Sequence, residues 1–472
     1  MFWRKKSKTT NVNFDTIFTG TEKPLKFNSV EFRDGQQSLL ATRMITEDML
    51  PILDKMDKIG FDSMEMWGGA TFDVCVRFLK EDPWDRIRAF KSVVKKTPLK
   101  MVLRGQNLVG YKAYPDDIVE LFIKKAAEAG IDVFLIFDAL QDLRNCETAF
   151  NAVKKAGKKI EGSLQYNISP FHTTEVFVQS AIEQQKMGAS LLHVEDMAGL
   201  MTPKAAYELI SALKSSVSIP IHLHCHCTGG MAEMAYWEAI RAGVDGLDVC
   251  ISAISMGPAQ PPIESFVTAL KGTSRDPKID VGQFAPINDY FLEMRKKYKD
   301  FETQLIGVDI GCLQHQIPGG MLSNLESQLK NMNLYHRLPE VLQEVSAVRE
   351  DMGYPPLATP SSQMCGAQAT TNVLTGERYK MVSKEIKDYC RGMYGKPPGD
   401  ISPELMKKAL GNEKPISCRP AELLEPMYEK VKAEIDGLAR SDEDILTYAL
   451  FPNNTPEFLK YKYSTKTSTE SL

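Results

Sequence analysis

The sequence has no apolar run approaching the length of a membrane span, so no bilayer-crossing helix is expected. Cysteine is sparse, nine in 472 residues, and never in CxxC spacing. That rules out a disulfide scaffold and a thioredoxin-type motif, and a reducing, cytoplasmic compartment is expected. Charge of one sign is not in excess: Lys+Arg 57 face Asp+Glu 61, a net charge of -4. This balance gives no footprint for nucleic acid or an anionic membrane surface. The opening residues Met1-Phe2-Trp3-Arg4-Lys5-Lys6-Ser7-Lys8 are basic, but no apolar core follows them, so a signal peptide is not expected. No internal repeat and no long low-complexity segment occurs. With 43% hydrophobic and 25% charged residues, the chain reads as globular and long enough for two domains.

Histidine is scarce too, yet three of the seven fall in Ile221-His222-Leu223-His224-Cys225-His226-Cys227-Thr228-Gly229-Gly230. Read as a strand, the segment points His222, His224 and His226 to one face and Leu223, Cys225 and Cys227 to the other. Neutral imidazole is the commonest metal ligand, and i/i+2 spacing on a strand aims two rings at one point. A polar strand end with satisfied histidines would show the same pattern, so the rest of the chain has to decide between them.

From Leu25 onward, short apolar runs alternate with amphipathic stretches of helix length. Eight runs read as strands: Lys26–Phe32, Ser63–Met66, Lys100–Leu103, Val133–Phe137, Glu161–Tyr166, Leu191–Val194, Ile219–His224 and Gly246–Ile251. Segments such as Pro115–Ala129 and Thr174–Met187 carry helical periodicity. Eight strands alternating with helices predict an α/β fold, a (β/α)8 TIM barrel, with chemistry at the C-terminal strand ends. A doubly wound sheet would not explain polar residues at every strand end. Those ends run into Arg33-Asp34-Gly35, Trp67-Gly68-Gly69, Arg104-Gly105-Gln106, Asp138, Tyr166-Asn167, Glu195-Asp196, the histidines, and Ser252. The boundaries expected are an arm over 1–24, the barrel over 25–300, a mainly helical C-terminal domain over 301–460, and a disordered tail over 461–472.

A catalytic metal takes about three protein ligands and keeps a position open. His224 and His226 supply nitrogens, and Asp34 is the strongest carboxylate, with Glu195 and Asp196 also in reach. Asp34 before Gly35 could equally be an ordinary turn residue. His222 lies roughly 7 Å lower on the same face and reads as barrel interior or support. Arg104, at a strand end, suits bidentate grip of a carboxylate, unless it forms a surface ion pair. The residues alone imply a metal-assisted enzyme acting on a small anionic substrate, such as a keto acid polarised by the metal.

Arg33-Asp34-Gly35-Gln36-Gln37-Ser38-Leu39-Leu40-Ala41-Thr42-Arg43, Glu65-Met66-Trp67-Gly68-Gly69-Ala70-Thr71, Glu81-Asp82-Pro83-Trp84 and Leu103-Arg104-Gly105-Gln106-Asn107 form a recurring set. With Phe137-Asp138, the His224/His226 segment, Ile317–Asn324 and Thr359-Pro360-Ser361-Ser362, they resemble the carboxyltransferase component of biotin-dependent enzymes. The resemblance runs from about residue 25 to Pro452-Asn453. It implies that Asp34, His224 and His226 bind a divalent metal, with Zn, Co or Mn plausible. It also implies that Gln37 and Arg104 orient pyruvate or oxaloacetate, and that Tyr111, Ser362 and Gln363 join them around substrate and biotin. Thr359 would pass a proton between the enol and the biotin ring. The reaction implied is exchange of CO2 between oxaloacetate and biotin.

Two positions depart from the family's pattern. The sixth strand of the family usually carries a lysine that, carbamylated, is the fourth metal ligand; here the position is Glu195. Its shorter carboxylate would reach the metal through a water, or after a shift of the metal. The arginine usual on the fourth strand is missing from Phe134-Leu135-Ile136-Phe137-Asp138. No Ala-Met-Lys-Met attachment sequence occurs, so biotin is expected on a separate carrier protein, the biotin carboxyl carrier protein. A biotin carboxylase or other complex subunits are further expected partners, and a homodimer or larger assembly is expected from the resemblance. Two other readings compete: a biotin-independent metal-dependent lyase or aldolase on a related barrel, and a non-catalytic paralogue for which Glu195 is the support.

Overall fold

A computed structural model describes residues 23–305 and 307–469. Most of the expected arm, residues 1–22, and the last residues of the tail, 470–472, lie outside the described residues. Eight parallel strands close into a barrel: β1 (Lys26–Ser29), β2 (Ser63–Trp67), β3 (Leu99–Leu103), β4 (Val133–Ile136), β5 (Lys159–Gln165), β6 (Leu191–Asp196), β7 (Ile221–Cys225) and β8 (Gly246–Val249). Closure joins β8 to β1, with Asn28 opposite Asp248. All eight expected strands are present. The first is shorter than its apolar run suggests, because a π-helical turn over Glu31–Gly35 takes over before Phe32. Such turns mark functional sites more often than chance, and this one carries Asp34.

The crossover helices begin and end where the sequence supplies caps. Thr173 accepts from the backbone N–H of Val176 before Thr174–Met187, and Gly188, at φ 109°, ends that helix. Asp82 accepts from the N–H of Trp84, with Pro83 in the first turn of Pro83–Val93. Both patterns satisfy backbone donors or acceptors that a helix end would otherwise leave open.

Buried parallel strands are usually nearly all apolar, but the interior of this barrel carries charge. Lys100 Nζ, fully buried, lies 3.3 Å from Glu161 and 3.8 Å from both Glu65 and Asp248. His193 lies between Glu161 at 3.3 Å and Asp248 at 3.1 Å. Buried charges persist only when paired, and here each inward charge faces an opposite one. The apolar core lies between the strands and the surrounding helices. At β2 it becomes an aromatic belt in which Trp67, Phe72, Trp84 and Phe122 pack within 5.2–6.1 Å of one another.

The helices of the C-terminal part pack in two ways. Helices from Gly319–Asn331 to Pro403–Leu410 share a second core that includes Val341, Val345, Met364, Tyr389 and Leu405. After it, Asp442–Leu450 packs back onto the barrel's own core. Phe451 stacks on Phe72 at 5.6 Å, and Trp84 Nε1 donates to Thr447 Oγ1 at 3.1 Å. Helix Thr455–Thr469 extends through residues 461–469, which were expected to be disordered. Its Lys462 bridges Asp82 and Asp444, both at 2.7 Å. Phe458 and Leu459 of the same helix join the barrel's core, with Tyr463 packed against it. No helix of the described residues is long and apolar enough to cross a membrane.

Candidate metal centre and the barrel mouth

Asp34, His224 and His226 converge at the C-terminal mouth of the barrel, all three buried, with one ligand atom from each lying within 4.8 Å of the others. His224 Nε2 is 3.2 Å and His226 Nε2 3.5 Å from Asp34 Oδ2. Two nitrogens and a carboxylate oxygen at that separation form a donor set suited to a divalent transition ion. Gly35 makes the approach possible: a Cβ there would meet Cys250 Sγ and Ile254 Cγ2, both at 2.9 Å.

The ligand rings are fixed from behind. His224 Nδ1 contacts Asp248 Oδ2 at 2.8 Å, and His226 Nδ1 contacts the carbonyl of Pro258 at 2.6 Å. Each contact turns Nε2 toward Asp34, the arrangement by which outer partners orient metal-bound histidines. Burial disfavours charge on His224, but its hydrogen bonds to the carboxylates of Asp248 and Asp34, and their charge, outweigh it and raise the pKa to about 10. Burial likewise opposes ionisation of Asp34, yet Arg33 and the two histidines hold its carboxyl well below the usual range.

Four residues around the mouth play parts the sequence did not reveal. Asp248 also accepts from Asn28 Nδ2 at 2.7 Å, and that amide group lies 2.9 Å from His222 Nδ1. His222 is thus barrel interior, joined to His224 through Asn28 and Asp248. The amide nitrogen of Gln260 lies 3.1 Å from Asp34 Oδ2, 3.2 Å from His224 Nε2 and 3.4 Å from His226 Nε2. Gln260 comes from the loop after β8, and no local pattern ties Gln-Pro-Pro to the ends of β1 and β7, the strands on either side. Arg349 donates to Pro355 O, Gln316 Oε1 and Asn167 Oδ1 at 3.0, 2.9 and 3.3 Å. It pins the Pro-rich loop to the end of β5. An arginine beside the apolar stripe Val341, Val345 and Val348 was the available signal.

Glu195 is level with His224 on the neighbouring strand. Its carboxylate accepts from Ser163 Oγ and Gln165 Nε2, and it is not one of the three clustered ligands. The expected fourth ligand is thus held by two donors from β5 and lies outside the three-residue cluster. Asp196 is occupied as well, accepting from the backbone of Leu200 and Met201.

The other side of the mouth is more open. Arg104 Nη1 donates to the carbonyls of Val109 and Gly110, and its guanidinium lies 5.4 Å from the Tyr111 ring centroid. Gly69 leaves room for it, since a Cβ there would lie 2.3 Å from Arg104 Nη2. Tyr111 is 41% exposed and its hydroxyl donates to Asp73 Oδ2 at 3.3 Å. Gln37 is half-buried in the short helix Gln36–Leu40 that follows Asp34. Ala358 packs on Val102, Leu135 and Phe137, which lays the loop carrying half-buried Thr359 across the ends of β3 and β4. Ser362 is buried, its N–H donating to Ala358 O at 3.0 Å, whereas Gln363 is exposed.

Residues 24–290 match the family model described as HMGL-like, and residues 312–471 the one described as a conserved carboxylase domain. The chain is 54% identical to a pyruvate carboxylase subunit of Methanocaldococcus jannaschii, over 92% of this chain and 78% of that protein. It is 46% identical to the methylmalonyl-CoA carboxyltransferase 5S subunit of Propionibacterium freudenreichii subsp. shermanii, over 91% and 86%. The carboxyl transferase domain of Rhizobium etli pyruvate carboxylase, solved with pyruvate and biocytin, superposes with a TM-score of 0.87 at 34% identity, over 92% and 77%.

Proposed function

Because the chain belongs to the carboxyltransferases of biotin-dependent enzymes, we propose that it exchanges a carboxyl group between oxaloacetate and biotin borne on a separate carrier, leaving pyruvate. The observation that carries this reading is the placement of two groups at one mouth. One is the buried Asp34–His224–His226 cluster; the other is the Thr359 loop seated by Ala358 on β3 and β4.

A divalent metal fits the donor set, and when bound it would polarise the keto oxygen and stabilise the enolate. The remaining work falls to the chain's own side chains. Arg104 presents a guanidinium to the substrate carboxylate, its other face backed by Tyr111. Gln37, in the turn after Asp34, supplies an amide on the same side. Among the described residues, no hydrogen bond holds the Thr359 hydroxyl, which leaves it free to accept a proton from one partner and donate to the other. In the direction of decarboxylation, the C–C bond to the carboxyl breaks, the carboxyl joins biotin N1, and the proton leaving N1 reaches the enol carbon through Thr359.

Asp34, His224 and His226 suffice for a three-ligand site with an open position, so a Glu195 outside the cluster does not argue for a non-catalytic protein. Relatives named as subunits support a protein that works within a complex, and the partners proposed for it are a biotin carrier and a biotin carboxylase, in a dimer or larger assembly. Nine free thiols, eight of them buried, support a reducing, cytoplasmic setting. The test is pyruvate release from oxaloacetate by metal-quantified protein, with and without free biotin. Stimulation by biotin is expected; turnover indifferent to biotin would instead indicate a lyase.

A further inference from the structure

Beside the mouth, a strip of the rim combines unpaired positive charge with exposed aromatic surface. The guanidinium of Arg43 lies 3.9 Å from the ring centroid of Phe78 and 5.2 Å from that of Phe301. Arg77 stands 5.0 Å from the same Phe78 ring. Phe78 is 49% and Phe301 47% exposed. Among the described residues Arg43 forms no ion pair, and its Nε is buried without a hydrogen-bond partner. The strip continues into the mouth. Arg77 Nη1 lies 3.2 Å from Asp73 Oδ2, the same oxygen that accepts from Tyr111, and the Tyr111 ring lies against Arg104.

Arginine sandwiched by half-exposed rings, next to a second guanidinium and without a carboxylate of its own, is an arrangement that an acidic partner completes. Arginine and aromatic residues are enriched where proteins dock, and stacking on two rings holds the guanidinium in place before the partner arrives. A second copy of this chain is a poor occupant. A two-fold contact centred here would set the arginines of one copy against those of the other. The position instead suits whatever delivers a group past Tyr111.

We propose that Arg43, Phe78 and Phe301 are the docking strip for the biotin-bearing carrier domain, gripping an acidic and apolar face of it while the biotin arm passes Tyr111 into the mouth. This rests on the carboxyltransferase reading and adds the surface by which the partner is held. Charge on such a rim acts mainly on association rate and on salt dependence.

The test compares wild type, Arg43→Glu, Arg43→Lys and Phe78→Ala in pyruvate release from oxaloacetate, using free biotin and, separately, purified biotinylated carrier domain. Arg43→Glu and Phe78→Ala are expected to raise the KM for carrier about tenfold, leave rates with free biotin unchanged, and lose the low-salt advantage of wild type. Arg43→Lys should retain part of it. Equal effects on both acceptors, or none on either, overturn the proposal. So does a changed sedimentation mass in Arg43→Glu, which would make the strip a self-interface. If wild type is inactive with both acceptors, the carboxyltransferase reading fails. Direct binding of carrier domain to immobilised wild type and Arg43→Glu then still decides docking, about tenfold weaker for the variant if the strip is right. Should Phe78→Ala not fold, the two Arg43 variants carry the result.

Discussion

The two walls of the barrel mouth are built on opposite principles. On the wall of β1, β7 and β8, the clustered polar groups are buried and fastened: Asp34 by Arg33 and both histidines, His224 by Asp248, and Asp248 by Asn28 and His193. On the facing wall, Arg104, Tyr111 and Thr359 are half-buried or exposed. The first wall presents coordinating atoms at fixed separations, so little reorganisation remains when an ion binds. Under the proposed function the second would admit a keto acid and a biotin ring in turn, and its side chains are the more exposed ones. Pre-organisation thus sits where the same ion stays, and adaptability where substrates come and go.

Several substitutions would break or sharpen this contrast. The largest effect is expected for His226→Ala, which removes a ligand from the fastened wall. Metal content measured by plasma emission should fall to a small fraction of wild type, and carboxyl transfer with it. On the open wall, Thr359→Ala should lower carboxyl transfer by about 10²–10⁴ with metal content intact. Normal transfer in that variant would remove the proton-shuttle role. Asp248→Asn keeps the shape of the fastened wall but weakens its hold on His224, and competition with a chelator should show metal affinity reduced about 10–100-fold.

Below these, the interior charges should register in stability. Burial opposes ionisation of Glu161, but Lys100 and His193 pull its pKa down from 4.5 to about 2. A carboxyl depressed in the fold stabilises fully above its unfolded value and loses that contribution as pH falls from about 4.5 to about 2. Glu161→Gln should therefore destabilise by about 3–5 kcal/mol at neutral pH, and its unfolding midpoint in urea should approach that of wild type as the pH drops through that window. The smallest effect is expected for Glu195→Gln. Its carboxylate is held by Ser163 and Gln165 outside the cluster, so retained metal should stay within about twofold of wild type, far short of the loss that a ligand change gives. A loss comparable to that of His226→Ala would restore Glu195 as a ligand.

The sequence made the fastened wall largely legible and the open wall only partly so. Period-two spacing put His224 and His226 on one face, and barrel closure brought Asp34 beside them; both follow from local pattern plus one topological rule. Gln260, Asp248 and Asn28 were not legible, because their roles depend on which inward side chains share a level across strands far apart in the sequence. Lys100 was hidden inside Leu99–Leu103, where one charge among four apolar residues reads as a strand and not as the centre of an ion-pair network. The packing of the C-terminal helices was less legible. The mainly helical character expected of the C-terminal part agrees with the helices from 319 onward, whereas residues 461–469 were expected to be disordered; only long-range packing, such as Phe451 on Phe72, shows which helices return to the barrel. Glu195 was placed on the right strand and level, while the direction of its carboxylate depended on Ser163 and Gln165.

The most direct measurement is isotope exchange between labelled pyruvate and oxaloacetate by metal-loaded protein, with biotinylated or unbiotinylated carrier domain. Exchange that requires the biotinylated form and disappears in Thr359→Ala is the predicted result. Exchange of equal rate with either carrier, or none with the biotinylated one, would contradict the account.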